Sequence, residues 1–373
     1  MLLTRCKTCV MPTTRPDTEF VDGECSACIN FRKRADIDWA ARANTLAHIV
    51  KECKRVGARH DYDCIVPSSG GKDSTYQVLT LLGMGLRPLV VTASTCMLTP
   101  IGRANINNLA RLATTIEVTP NRTVRAKLNK FGLETVGDIS YPEHLAIFTT
   151  PFQEADAYNI PFLFYGESPQ QEYGCPQGAN EATEMTQRWI HEFGGLLGMR
   201  AQDCIGYEGI TAREMGDYEM PAGTNVAAFF LGQFIPWDSH RNAALAREAG
   251  MMQSLPSMAS YWPAENLDNA MTGLHDHSMY RKYGFGRLCS QLSVDIRNGR
   301  IARDDAMDLV AKRDGLFPFI YANVTVEEVC AHLGITMEWL GAQLDRFTNW
   351  DLFEGVEHHR PILREFDSAR SAA

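Results

Sequence analysis

Two clusters of residues carry chemistry by their types and spacing. The first is Ser68-Ser69-Gly70-Gly71-Lys72-Asp73-Ser74, which follows the short apolar run "DCIV". Glycines let a backbone approach a ligand closely and take positive φ. Lys72 supplies a point charge. A helix beginning near Ser74 would aim unpaired N–H groups and its positive dipole end back at the loop. Together these suit a phosphate. The spacing is not the G-x-x-x-x-G-K-[ST] of a Walker A loop, because Lys72 is followed by aspartate. The second cluster is Cys6-x-x-Cys9, fifteen residues, then Cys25-x-x-Cys28. Each C-x-x-C presents two thiolates from one tight turn. The spacing fits a tetrahedral structural zinc site, with an iron–sulfur cluster or a redox pair as alternatives. A segment this small cannot build its own core, so the metal would fold it.

The bulk composition bounds what such sites can serve. The chain has 373 residues, room for two domains, with 45% apolar and 22% charged residues, typical of a globular protein. A net charge of −9 argues against bulk nucleic-acid binding, which needs a basic face. The longest apolar stretch, "VAAFFLGQFIPW", is too short to span a bilayer. The start "MLLTRCKTC" has no long apolar run, so an unexported, cytoplasmic protein is expected. Eleven cysteines then point to thiols and metal rather than disulfides.

The elements that must hold these residues follow from periodicity. Residues 34–60 have helical apolar spacing. "DCIVP", "RPLVVTAS", "TTIEVTP" and "IPFLFYGES" read as strands, separated by the helical stretches after Ser74, in "GRANINNLARLA" and in "PEHLAIFTTPFQEADAY". Repeated β-α-β units imply an α/β fold with a parallel sheet. Ligands then sit at the carboxyl ends of the strands, where Ser69, Ser94 and Gly166 all fall. Beyond residue 236 the strand pattern fades and helices dominate. The expected domains are a zinc ribbon (1–33), a linking helix (34–62), a nucleotide-loop domain (63–235) and a mainly helical C-terminal domain (236–373).

The "SSGGKDS" string at a strand end resembles the PP-loop of the ATP pyrophosphatase superfamily, whose members split ATP into AMP and pyrophosphate. "CKTCVMP", "DGECSACIN", "TPIGRANINNLARL", "EVTPNRTVRAKLNKFGLETVGDISYPEH", "YGESPQQEYGCP", "ENLDNAMTGLHD", "YGFGR" and "DIRNGRI" look like the N-acetyl sugar amidotransferase family, over almost the whole chain. The resemblance implies a PP-loop α/β sheet of the adenine nucleotide alpha-hydrolase type. It also implies adenylation of an acetamido oxygen by ATP, then attack by ammonia to give an acetamidino sugar. Ser68, Ser69, Gly70, Gly71, Lys72, Asp73 and Ser74 would hold the phosphates. Lys72 would stabilise developing charge, and Asp73 would help hold Mg²⁺ or cap the helix. By the same resemblance Thr92 to Thr95, including Ser94, would line adenine and ribose. Gly166 and Glu167 would lie across from them. Asp138, Glu143 and His144 would contact the substrate, polar loop residues being the plainer reading. Glu172 follows a strand end directly and is a catalytic candidate. Arg287, with Arg297 and Arg300, would clamp phosphates from the helical domain. His275-x-His277 reads as a polar turn or a substrate contact. The chain shows no G-x-C-x-G elbow and no Cys at position 2, so a separate glutaminase partner is implied; the family also suggests a homodimer.

A competing reading rests on two thiols. The family tends to have glycine where this chain has Cys175, and Cys96 follows the second strand. Sulfur-transferring PP-loop enzymes activate a carbonyl in the same way and deliver sulfur from a cysteine persulfide, supplied by a sulfur-donor protein. Buried inert thiols are the plain alternative for both. A zinc-ribbon binding protein that merely keeps a nucleotide fold is the third class, and the intact loop argues against it.

Overall fold

A computed structural model of the chain describes residues 3–166, 185–186, 189–190 and 194–364. Its centre is a parallel sheet of β1 (Cys64–Pro67), β2 (Pro88–Ala93), β3 (Thr115–Val118), β4 (Phe162–Tyr165) and β5 (Ala227–Phe230), in the order β3-β2-β1-β4-β5. Strand β5 comes from the stretch "VAAFFLGQF", which was read above only as a long apolar run. The strands are buried on both faces, as parallel strands must be. Ile65, Leu89, Val91 and Leu163 pack into one core, while Cys64, Val66, Val90 and Phe164 pack into the other. The period of two divides each strand between the two layers. The order reverses beside β1, so the phosphate loop leaves the sheet at the switch point, where open sheets leave a crevice.

Helices cover both faces. The first core takes α4 (Arg122–Thr135) and α5 (Tyr141–Ala157); the second takes α1 (Trp39–Gly57) and α2 (Lys72–Gly83). The linking helix is shorter than its apolar spacing predicts. Arg34–Asp36 forms a 3₁₀ turn, and Asp38 then caps α1 by accepting from the Ala41 N–H at 2.9 Å. Helix α2 begins at Lys72 with Gly71 as its N-cap, two residues before the expected start. Asp73 therefore lies in the first turn and is not the cap. The short helix α3 (Pro100–Leu109) opens on Thr99, whose hydroxyl accepts from Gly102 N–H.

The C-terminal region carries α6 (Ser239–Glu248), α7 (Thr272–Tyr283), α8 (Arg287–Arg297), α9 (Arg303–Arg313), α10 (Val326–Leu333) and α11 (Met337–Arg346). It also holds two hairpins, Ile320–Tyr321 with Val324–Thr325 and Phe353–Glu357 with Arg360–Leu363. Their turns put Ala322, Asn323, His358 and His359 at positive φ, as two-residue hairpin turns demand. The His-His turn lacks the usual glycine signal, so no local motif announces this hairpin. No described helix is long and apolar enough to cross a membrane.

The N-terminal cysteines do not form an isolated module. Cys6, Cys9, Cys25 and Cys28 share one core with Phe285, Leu288, Cys289 and Leu292 around α8, and with Ala306 and Val310 of α9. Arg303 of α9 donates to the carbonyls of Cys6 and Cys9, each at 3.2 Å from Nε. The four ligand sulfurs lie within 4.8 Å of one another, with Cys6–Cys28 at 4.0 Å and Cys9–Cys25 at 3.7 Å. A tetrahedron with metal–sulfur bonds near 2.3 Å has edges of about 3.8 Å. The N–H groups of Thr8, Cys9 and Cys25 all point at Cys6 Sγ, a pattern that stabilises a thiolate. The set fits a closed, structural metal site and could bind zinc. Metal analysis should find one zinc ion per chain, and Cys25→Ser should lose it. The docking on α8 adds a consequence for that variant: amide exchange should quicken in α8 as well as in the N-terminal segment, while β1, β2 and β4 stay protected.

Candidate functional site

The phosphate loop is held from below by the sheet. Ser68 N–H donates to Val91 O at 2.9 Å, Thr92 Oγ1 donates to Ser68 O at 2.7 Å, and Ser68 Oγ accepts from Gly70 N–H at 3.1 Å. Gly70 has φ of +82°, and a Cβ there would stand 2.9 Å from the α3 backbone at Asn105 and Ile106. Both demands exclude any other residue. Gly71 has no side chain with which to cap α2. The first N–H groups of that helix thus remain for an anion, aligned with the positive dipole end.

Lys72 is buried, yet it is ion-paired to Asp73 at 2.7 Å and Glu265 at 2.9 Å, and it lies 5.6 Å from the Trp262 ring centre. Burial opposes its charge, but the two carboxylates override that and hold its pKa well above the ordinary lysine value. Asp73 uses its other oxygen to accept from Asn242 of α6 at 2.9 Å. Arg287, at the first position of α8, grips Asp276 at 2.9 Å. With the Asn266 amide oriented to satisfy its neighbours, Arg287 also donates to its oxygen at 3.0 Å.

Two clefts meet at the loop. The polar one, about 270 Å³, is walled by Gly70, Gly71 and Lys72 on one side and by Glu265, Asp268 and Arg287 on the other. Burial pushes the Asp268 carboxyl up to about 6. The second cleft, about 280 Å³, shares Ser69, Asp73 and Ser74 but is otherwise apolar, with Phe148, Tyr165, Trp189 and Phe230 among its walls. One cleft thus suits phosphates and the other a flat, apolar group.

The structure brings together some sequence-predicted residues and separates others. Ser68, Ser69, Gly70, Gly71, Lys72, Asp73, Ser74, Gly166 and Arg287 all line one cleft or both. Thr92 and Ser94 do not. Alternation along β2 turns Val91 and Ala93 to the cleft instead, while Thr92 supports the loop carbonyl and Ser94 bonds Glu117 and Thr119. Arg300 is drawn away into ion pairs with Asp295 and Asp238. Cys96 is buried, with its Sγ 3.2 Å from His332 Nε2, and burial pushes its thiol up to about 12. Glu167, Glu172 and Cys175 lie outside the described residues.

Asp138 and His144 line neither cleft, but they meet each other through a third residue. His275 Nδ1 lies 2.7 Å from Asp138 Oδ1, and the His275 and His144 rings stand edge to face, 5.4 Å between centres. Glu143 is buried against Arg125 at 3.3 Å and Asn129 at 2.8 Å, and it accepts from Cys96 N–H. Its role in the fold is to tie α4 to α5. Sequence reasoning assigned no role to Glu265, Asp268, Trp262 or Asn242. The string "ENLDNAMTGLHD" carried the first two, but nothing local tells which loop it will face.

These features define an α/β protein with a parallel sheet, a glycine loop at its switch point, and a polar cleft closed by a C-terminal region. Residues 257–363 match the family described as "LPS biosynthesis protein WbpG-like, C-terminal domain". A search of curated proteins finds no match. Among solved structures, NMN synthetase from Francisella tularensis aligns with 59% of this chain and 99% of its own at 11% identity, with a TM-score of 0.27, too loose a superposition to support any inference.

Glu265 competes with any phosphate for Lys72. Glu265→Gln keeps a polar side chain and removes one negative charge. It should tighten pyrophosphate binding in metal-free buffer by about five- to tenfold or more, the lower bound being the size of one charge contact in bulk water. Lys72→Ala should weaken the same binding. Calorimetric titration at two salt concentrations checks both, with smaller effects at high salt.

Proposed function

We propose that the chain is an AMP-forming, ATP-dependent amidotransferase that converts an N-acetyl group on a sugar or nucleotide sugar to an acetamidino group with ammonia. One observation carries this reading. Residues 264–268 and Arg287, within the region that matches a lipopolysaccharide-biosynthesis family, close the polar cleft over the glycine loop. The region linked to surface-sugar chemistry and the phosphate loop thus share one cleft.

The residues divide the work as follows. ATP lies with its β and γ phosphates on the N–H groups of Gly70 to Ser74, opposite Arg287. Its base takes the apolar cleft between Ala93 and Gly166. The acceptor carbonyl oxygen attacks the α phosphate, the P–O bond to pyrophosphate breaks, and Lys72 and Arg287 stabilise the charge that develops there. Asp73 would be the carboxylate that holds Mg²⁺, and the ion would neutralise charge on pyrophosphate. The adenylated oxygen then leaves as AMP when ammonia attacks the carbon. Ammonia comes from a separate glutaminase in this reading. The chain acts as a homodimer, in keeping with the family resemblance, and works in the cytoplasm.

Sulfur transfer starts from the same adenylate. Cys96 is poorly suited to it, since a buried thiol with a raised pKa is the reverse of an activated thiolate. Cys175 remains to be tested.

Two measurements follow. Incubation with ATP, Mg²⁺, ammonium chloride and a panel of free and nucleotide-linked mono- and diacetamido sugars should release AMP and pyrophosphate only when an acceptor is present. ADP and phosphate as products would refute the mechanism. Lys72→Ala and Asp73→Ala should each slow that release by ~10²-fold or more. With saturating ammonium at pH 8 to 9, Cys96→Ser and Cys175→Ser should each keep most of the activity. Loss of turnover in either, with a one-sulfur mass adduct on that thiol in the parent protein when a persulfide donor is supplied, would establish sulfur as the nucleophile instead.

A further inference from the structure

The pair His275 and His144 is not explained by phosphate binding or by packing alone. His275 sits in the first turn of α7, directly after the 264–268 segment that walls the polar cleft. Its neighbour Asp276 holds Arg287. His144 sits in the first turn of α5, on the same face as Ile147, Phe148 and Pro151, which wall the apolar cleft. The two imidazoles therefore line neither cleft but stand behind a wall of each: His144 one helical turn before Ile147 and Phe148, and His275 next to the Asp276 that holds Arg287.

The hydrogen bonding of the pair is asymmetric in a useful way. Asp138 accepts a hydrogen bond from His275 Nδ1–H, which leaves the lone pair of the neutral ring on Nε2. His144 Nδ1 faces Gly195 O at 3.2 Å, fixing its ring likewise. Neither Nε2 has a partner among the described residues, and the His275 side chain is 18% exposed, so it is reachable. A purely structural histidine–aspartate tie would be served as well by a fully buried pair or by an amide.

The proposed reaction needs a proton acceptor. When ammonia adds to the adenylated carbon, the new C–N bond leaves a positive nitrogen. One proton must leave that nitrogen before or as the C–O bond to AMP breaks, and the departing phosphate can receive it. The products are then an amidinium and AMP, with no net gain or loss of protons and no redox change. A group that takes the proton from nitrogen and returns it to phosphate completes the balance.

The geometry points to His275, oriented by Asp138 and seconded by His144, as the general base of the amine-transfer step. This inference rests on the amidotransferase reading above and adds a catalytic residue to it. Burial alone would lower the His275 pKa, but the Asp138 charge overrides this and raises it, with Asp276 adding to the rise and Arg287 opposing it. Burial lowers that of His144. Lys282 faces Asp138 from α7 as well. A base must be unprotonated, so the amine step should speed up as pH rises through the elevated His275 value. Asp138→Asn should move that limb to lower pH.

The test separates the two half-reactions. Acceptor-dependent ATP–pyrophosphate exchange, measured without ammonia, reports adenylation; acetamidine formation with ammonium chloride reports amine transfer. His275→Asn should slow amine transfer by ~10²-fold or more while slowing exchange by less than about tenfold. Exchange in the same sample also certifies that the variant is folded and binds ATP. Equal slowing of both half-reactions, or no slowing of either, would overturn the assignment, as would an unshifted pH limb in Asp138→Asn. Absence of exchange in the unmodified chain with every acetamido sugar would instead overturn the amidotransferase reading, and this inference with it.

Discussion

The buried charge of Lys72 organises the site. An ammonium withdrawn from water costs several kcal/mol unless it is paired, and removing one partner of a buried pair costs roughly 3–5 kcal/mol. Asp73 supplies one partner from the loop itself. Glu265 supplies the other from a segment 193 residues away, across the seam between the sheet and the C-terminal region. The requirement to satisfy Lys72 therefore fixes where that segment lies. Arg287 and Asp268 follow it to the rim of the same cleft. A phosphate arriving at the loop would find a lysine already charged and a carboxylate that must yield.

A chain of contacts leads from the metal cluster to this point. The cysteines pack on α8, α8 begins with Arg287, and Arg287 faces the glycine loop. The segment that cannot fold alone and the helix that carries the cleft's arginine share one core. A metal held by the cysteines would thus be coupled to the glycine loop through packing rather than through the chemistry of the metal. On the other side of the seam, Arg125, Glu143 and Asn129 form a buried polar cluster that braces α4 against α5. Helix α5 then presents His144 on one turn and the apolar cleft wall on the next two.

Much of this was legible in the residues. The glycine loop was readable because its constraints are local: Gly70 needs positive φ and Gly71 starts a helix without a side chain. The cysteine set was readable because two C-x-x-C turns carry their own geometry. The central strands were readable because short, nearly continuous apolar runs recur between helical stretches, as strands buried on both faces require. The family resemblance points to a stretch, Thr92 to Thr95, but the pleat decides which side chains of that stretch meet the cleft, and Ala93 does. The C-terminal hairpin at His358-His359 was hidden because neither residue announces a turn.

What the sequence determined by itself is the local geometry: a glycine loop on a parallel sheet and a clustered set of four cysteine sulfurs. These depend on the steric limits of glycine and on spacings of a few residues, which survive any arrangement of the rest. What only the tertiary structure decided is which groups meet across the seam. Lys72 finds Glu265, and His275 finds Asp138 at a separation of 137 residues. Such pairings depend on how two layers of helices dock on one sheet, and docking is set by the summed fit of many apolar side chains, not by any short string of residues.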